Sequence, residues 1–204
     1  MSKAAKMAAA AAAVLMLTAC ASTKFSSTWK DPDVAPLGKM QGKTIIACVV
    51  TGDELVRQGS EEALAYELNK RGADAVPSYK ILPPGVKDEA LAKAAFEKAG
   101  AAAAVVMRPF SAGEEAVVAT TVYTGGYYGG FWGGYWGYGW GQPMMAASFQ
   151  SNTVIVIETL FYSLEQNKLV WAGQSKTTNP KDMVSLMKDL VAYAAAEMKK
   201  DKVF

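Results

Sequence analysis

The side chains here that could carry covalent or acid–base chemistry are the carboxylates and two cysteines, because the sequence contains no histidine. Without an imidazole, Ser-His-Asp and Cys-His catalysis are excluded, and the commonest protein metal ligand is missing. Adjacent acids stand at Asp53-Glu54, Glu61-Glu62, Asp88-Glu89 and Glu114-Glu115. Two such acids can hydrolyse a glycosidic bond when their surroundings hold one protonated and the other ionised. The first three pairs begin or lie in expected helices, however, where acids near the positive end of the dipole have a structural reason. Glu158 is set apart inside the apolar run Val154-Ile155-Val156-Ile157-Glu158. Strand alternation gives it the face of Val154, Val156 and Leu160, which makes it either solvated or paired. Cys48 sits in the strand-like run 44–50 and reads as a buried, inert thiol, since a reactive thiolate needs an exposed, electropositive site. The expectation is therefore no enzyme, no cofactor and no bound metal. The alternative is a glycan-binding or glycan-active envelope enzyme that uses its carboxylates.

Cys20 has a different setting. Lys3 and Lys6 precede an apolar run from Met7 to Leu17, followed by small residues, the pattern of a secretory signal. The run is only about eleven residues, too short to span a bilayer. Leu17-Thr18-Ala19-Cys20 resembles the lipobox of bacterial lipoproteins. In that family the thiol is alkylated with diacylglycerol, the chain is cut before the Cys, and the new amine is acylated, typically with palmitate. The resemblance implies cleavage between Ala19 and Cys20, with Cys20 as residue one and as membrane anchor. Ala21, where an Asp would retain the protein at the inner membrane, implies a periplasm-facing place on the outer membrane. Removing residues 1–19 leaves 204 − 19 = 185 residues, with 21 − 2 = 19 basic against 19 acidic. That balance argues against a nucleic-acid partner.

The elements that must position these groups follow from periodicity. Residues 20–43 read as a lipidated tether and arm, because small polar residues, Trp29 and prolines interrupt any regular element. Ser27-Thr28-Trp29 with Asp31-Pro32 looks like the mature start of a group of bacterial outer-membrane lipoproteins. Gly38-x-x-x-Gly42-Lys43-Thr44 is one residue short of a phosphate loop and precedes a strand, so it is not a nucleotide site. From Thr44 the spacing predicts a strand to Val50, then a helix capped by Thr51 or Asp53, with Val56, Ala63, Leu64 and Leu68 inward and Arg71-Gly72 at its end. A second strand spans 73–79, with Pro77 ending it early or placing it at an edge. A helix over 88–99 carries a stripe of Leu91, Ala95 and Ala99, flanked by Ala92 and Phe96, and 101–107 forms a central strand. Further strands are expected at 115–123, 153–162 and 169–177, the last two as an antiparallel hairpin. A final helix starts at Asn179-Pro180. Its inward face carries Met183, Leu186, Met187, Leu190, Val191, Ala194 and Met198.

The result is an α/β class, a mixed α+β sheet in one domain over 44–204, ordered β-α-β-α-β-β-β-β-α. That order is similar to periplasmic domains of envelope lipoproteins: the curli-secretion lipoprotein, the outer-membrane activators of peptidoglycan synthases, and the amino-terminal domain of TolB. The resemblance implies an envelope role and transfers no functional residue.

Residues 124–148 form a low-complexity insert that alternates aromatic pairs with glycine pairs. Its candidate interaction residues are Tyr128, Phe131, Trp132, Tyr135, Trp136, Tyr138 and Trp140. Interior glycines disfavour a helix, so a loop or irregular hairpin is expected. Its rings could fold back on the domain, dock an envelope protein or a second copy, or meet a lipid headgroup layer or glycan. The core can be built without it from the apolar strands and three helices, so the insert is expected to serve interaction and to be dispensable for folding.

Overall fold

The computed structural model describes residues 22–34, 40–83, 85, 86, 88–113, 131, 132 and 154–203. Six strands form one sheet: β1 Ser22–Lys30, β2 Thr44–Val49, β3 Asp74–Pro77, β4 Ala101–Gly113, β5 Val154–Ser163 and β6 Lys168–Thr178. Among the described residues three helices cover it: α1 Glu54–Asn69, α2 Glu89–Lys98 and α3 Met183–Lys200. The strand order is β1-β6-β5-β4-β2-β3. The fold is mixed α/β in a single domain, as the sequence predicts.

The first half is the parallel part. β2 pairs in parallel with β3 on one side and β4 on the other. The two crossovers, β2 to β3 and β3 back past β2 to β4, move across the sheet in opposite directions, and right-handed connections of that kind must put their helices on opposite faces. The two cores agree. Ala63 and Leu64 of α1 pack with Ile45, Ala47, Val105 and α3, while Ala92 and Phe96 of α2 pack with Ile46, Cys48, Ala104 and Val106. Asp53 caps α1 by accepting from the Leu55 and Val56 amides, and Asp88 caps α2 through Ala90 and Leu91. Both helices end at glycines of positive φ, Gly72 at 89° and Gly100 at 65°. β3 is the edge strand that Pro77 suggested, and it runs directly into a 3-10 turn at Ser78–Lys80. Cys48 is buried and in no disulfide.

The second half is antiparallel, β4 with β5, β5 with β6, and β6 with β1. Every residue of β5 is buried, so both of its faces need cover.

Four expectations are corrected. Residues 22–30, read as an arm, form β1 along the β6 edge. The register shifts between Phe25 and Ser27, which marks Ser26 as a bulge. Phe25 therefore packs in the core with Trp171, and Trp29 packs on the opposite face. Strict alternation would have put both rings on one side, and that is why the stretch showed no strand pattern. On α1, Val56 sits in the first turn and is largely exposed, and on α2 the buried positions are Ala92 and Phe96, with Leu91 turned outward. The third helix begins at Met183 with Asp182 as its cap, accepting from the Ser185 amide at 2.7 Å. Asn179 instead takes the left-handed conformation, φ 49°, which turns the chain out of β6. The expected strand at 115–123 lies outside the described residues.

Gly173 shows how β1 is seated. A Cβ there would come within 2.6 Å of the Phe25 ring and 2.3 Å of Trp171. Only a glycine lets Phe25 lie over β6 beside Trp171, ring centroids 5.7 Å apart. The Trp171 indole N–H donates to Asp201 at 2.9 Å, which ties the C-terminal end of α3 to the same place.

Candidate functional site

Four groupings could carry function. The first lies where the insert docks. Phe131 is fully buried and Trp132 nearly so. Phe131 meets Trp132 edge-on at 4.8 Å and Tyr162 at 5.3 Å, and Phe96 of α2 lies 5.8 Å from Phe131 and 5.6 Å from Trp132. Such offset and T-shaped pairs are the favoured aromatic geometries. These two insert residues are thus part of the second core and not an exposed binding surface. The remaining candidates, Tyr128, Tyr135, Trp136, Tyr138 and Trp140, lie outside the described residues, as do Ala19, Cys20 and the Glu114-Glu115 pair.

The second grouping is a polar row on the same face. Glu158 pairs across β5 with Arg108 of β4 on one side and Gln174 of β6 on the other. Its side chain has no solvent exposure and forms an ion pair with the Arg108 guanidinium. Of the two readings open to it, the structure shows the paired one. Removing Arg108 would leave Glu158 as a buried charge without this ion pair, which is strongly destabilising.

The third is built on α1. Glu61 is 1% exposed, yet its carboxylate accepts from Ser78 Oγ at 2.7 Å, the Tyr79 amide at 2.9 Å and the Val49 amide at 3.1 Å. Arg57 lies 3.6 Å away and is itself held bidentately by Glu54 at 2.8 and 2.9 Å. Burial pushes the Glu61 carboxyl above its ordinary value, and the bonds from Ser78, Tyr79 and Val49 with the Arg57 charge draw it part of the way back. Next to it, the Lys80 ammonium, 2.6 Å away, holds the Glu62 carboxyl below the usual range, helped by the Tyr79 hydroxyl. Glu61 thus ties the ends of β2 and β3 to α1. The two acids of this pair have opposite shifts, Glu61 raised by burial and Glu62 lowered by its partners Lys80 and Tyr79, and Glu62 is half-exposed.

The fourth is a cavity of about 300 Å³ between the sheet and the helices α1 and α3. Ile45, Val105 and Phe161 line its sheet side, Leu68 and Arg71 its α1 side, and Val191 and Ala194 its α3 side. Sequence reading missed it, because space of this kind is decided by which small side chains face each other across elements far apart in the chain. Among the described residues no group of three or more His, Cys, Asp or Glu could hold a metal, and no helix is long and apolar enough to cross a membrane.

No protein-family model matches the chain, and no curated protein matches it in sequence. Solved structures similar to it include PelC dodecamers from Paraburkholderia phytofirmans in two crystal forms. They are 12% identical over 83% of this chain and 92% or 91% of theirs, with TM-scores of 0.41 and 0.42. Likeness at that level says nothing about shared function.

The register fixes one further relation. Ser22 pairs with Thr178, Thr178 with Val154, and Val154 with Gly113. One row across the sheet therefore holds the start of β1, the last described residue before the insert and the first after it. Strands lie about 4.8 Å apart, so Val154 is roughly 10 Å from Ser22 and Gly113 roughly 14 Å.

Proposed function

We propose that this protein is a lipid-anchored envelope lipoprotein, attached to the outer membrane through Cys20, that works as a periplasmic binding or assembly module and not as an enzyme. The observation that carries the reading is the row just described. Only Ala21 separates Cys20 from β1, and two residues of chain reach about 7 Å at most. A diacylglycerol on Cys20 would hold that end of the sheet at the headgroup layer, with both strand ends that flank the insert beside it. The insert's docked rings, Phe131 and Trp132, would then lie at the far end of the same sheet face, away from the bilayer, where an envelope protein or a second copy could dock on the rest of the insert. The partners of Glu158 and Glu61 also favour binding over catalysis, because each acid is committed to holding strands together. The test is direct. Intact mass of the mature protein should show a diacylated and N-acylated Cys20, and Cys20→Ser should abolish palmitate labelling and release the protein from outer-membrane fractions. A mature protein with an unmodified amino terminus, or one found mainly with the inner membrane, would overturn it.

A further inference from the structure

Protein interiors seldom keep voids larger than a water molecule. The cavity under α1 and α3 is about 300 Å³. That is twice the roughly 150 Å³ of an engineered apolar cavity that takes up benzene. Its size has an identifiable origin. Ala194 and Ala195 of α3 face Ala73 at the start of β3, three small side chains where a filled core would place larger ones. Met40, Met107 and Met198 supply soft, adjustable walls.

The lining is graded in polarity from one end to the other. At the inner end, on β5, stands Thr159, 2% exposed, on the strand face that carries Ile157 and Phe161. Its Oγ1 has no hydrogen-bond partner among the described residues. At the outer end stands Arg71, about one-third exposed. Its Nη1 donates to the Glu67 carboxylate at 2.9 Å and carbonyl at 2.7 Å. A guanidinium carries five N–H donors, so Nε and Nη2 remain for something else. Lys70 also reaches Glu67, at 3.4 Å, so two cations share that one acid, and Arg71 is the charged residue of the cavity lining.

We propose that this cavity binds a single aliphatic chain with an anionic head, the chain between the sheet and the two helices and the head at Arg71. Twice the space that takes up the six carbons of benzene suits a chain of on the order of ten carbons. The Thr159 hydroxyl at the inner end gives a polar contact to a water carried with the chain or to a hydroxyl on it. The site does not depend on lipidation of Cys20, so its test leaves the anchor out.

The protein for the test is the mature polypeptide from residue 20 with Cys20→Ser, purified without detergent. Decanoate should bind at one site and raise the melting temperature. Decyltrimethylammonium, with the same chain and the opposite head, should bind roughly tenfold weaker, the worth of one charge-assisted hydrogen bond. Arg71→Gln should erase that preference, with decanol binding unchanged. Ala194→Leu should fill the space and abolish decanoate binding without lowering the melting temperature of the free protein. Should that variant fail to fold, labelled methionine methyls decide the matter, because decanoate must shift Met107 and Met198 in the unmutated protein. Absence of binding at millimolar decanoate, binding that survives Ala194→Leu, or unshifted Met107 and Met198 methyls would each overturn the proposal.

Discussion

Phe131→Ala is the substitution that separates an insert built into the core from one that merely decorates it. The ring has no solvent exposure and lies within 6 Å of three other rings, those of Trp132, Tyr162 and Phe96. Truncating a buried Phe removes its transfer free energy and leaves a cavity, together about 3–5 kcal/mol. For a domain of this size each kcal/mol moves the melting temperature about 2–4 °C, so the loss should be roughly 6–20 °C. Set against a total stability of about 5–15 kcal/mol, that is a large share. The assay is thermal and urea unfolding of the Cys20→Ser mature polypeptide, followed by near-ultraviolet circular dichroism, which reports the packed rings. Leu55→Ala is the control, because Leu55 is 80% exposed and should change stability by no more than about 0.5 kcal/mol. Deleting residues 125–141 should destabilise in the same way, since it removes both Phe131 and Trp132. If Phe131→Ala melts within a degree or two of the control, the insert's docking into the second core is wrong.

Three further outcomes follow from particular contacts. Gly173→Ala should cost about 1–3 kcal/mol by urea denaturation, because the new methyl meets the rings of Phe25 and Trp171, and Phe25→Ala in the same chain should recover part of that loss. Asp182→Ala should cost about 1 kcal/mol as a lost helix cap, whereas Asn179→Gly should be near neutral because Asn179 is already left-handed; equal losses at both positions would contradict the cap. Glu61 binds its proton more tightly folded than unfolded, so its contribution is fully present below its unfolded value near 4.5 and is lost as pH rises through the higher folded value. The stability difference between the unmutated protein and Glu61→Gln should therefore move against the unmutated protein as pH rises from about 4.5, and a difference that is flat across that rise would refute the shift.

The parallel half of the fold was legible because its signals are local. Asp53, Asp88, Gly72 and Gly100 mark helix ends through backbone requirements that depend only on their neighbours, and Pro77 fixes an edge strand by removing a donor. The failures are non-local. β1 hid behind a bulge at Ser26 that moves Phe25 and Trp29 to opposite faces, so no period of two survives in Phe25-Ser26-Ser27-Thr28-Trp29. Asn179-Pro180 has the composition of a helix start, but the chain needs a left-handed turn there to leave β6, and the cap passes to Asp182. The polar row was half legible. Glu158 could be placed on a face, but its partner Arg108 lies fifty residues earlier and is chosen by strand register alone.

One signal for the docking of the insert was present in the sequence. β5 is apolar at consecutive positions, Val154-Ile155-Val156-Ile157, and a strand of that kind must be covered on both faces. α3 supplies one cover. On the other face α2 has only ten residues and buries only Ala92 and Phe96, too little for Leu160, Tyr162, Leu169 and Ala172 beyond β4. Some other apolar side chains had to lie there, and the aromatic insert between β4 and β5 is the nearest in sequence. Phe131 does so at Tyr162, which is 162 − 154 = 8 residues along β5 from Val154. At about 3.4 Å per residue that docking point is roughly 27 Å from the row that holds Ser22, Val154 and Gly113. If Cys20 holds that row at the membrane, Phe131 and Trp132 are pinned away from the bilayer, at the far end of the same face. If the insert also binds a partner, loss of Phe131 should weaken both folding and that association together.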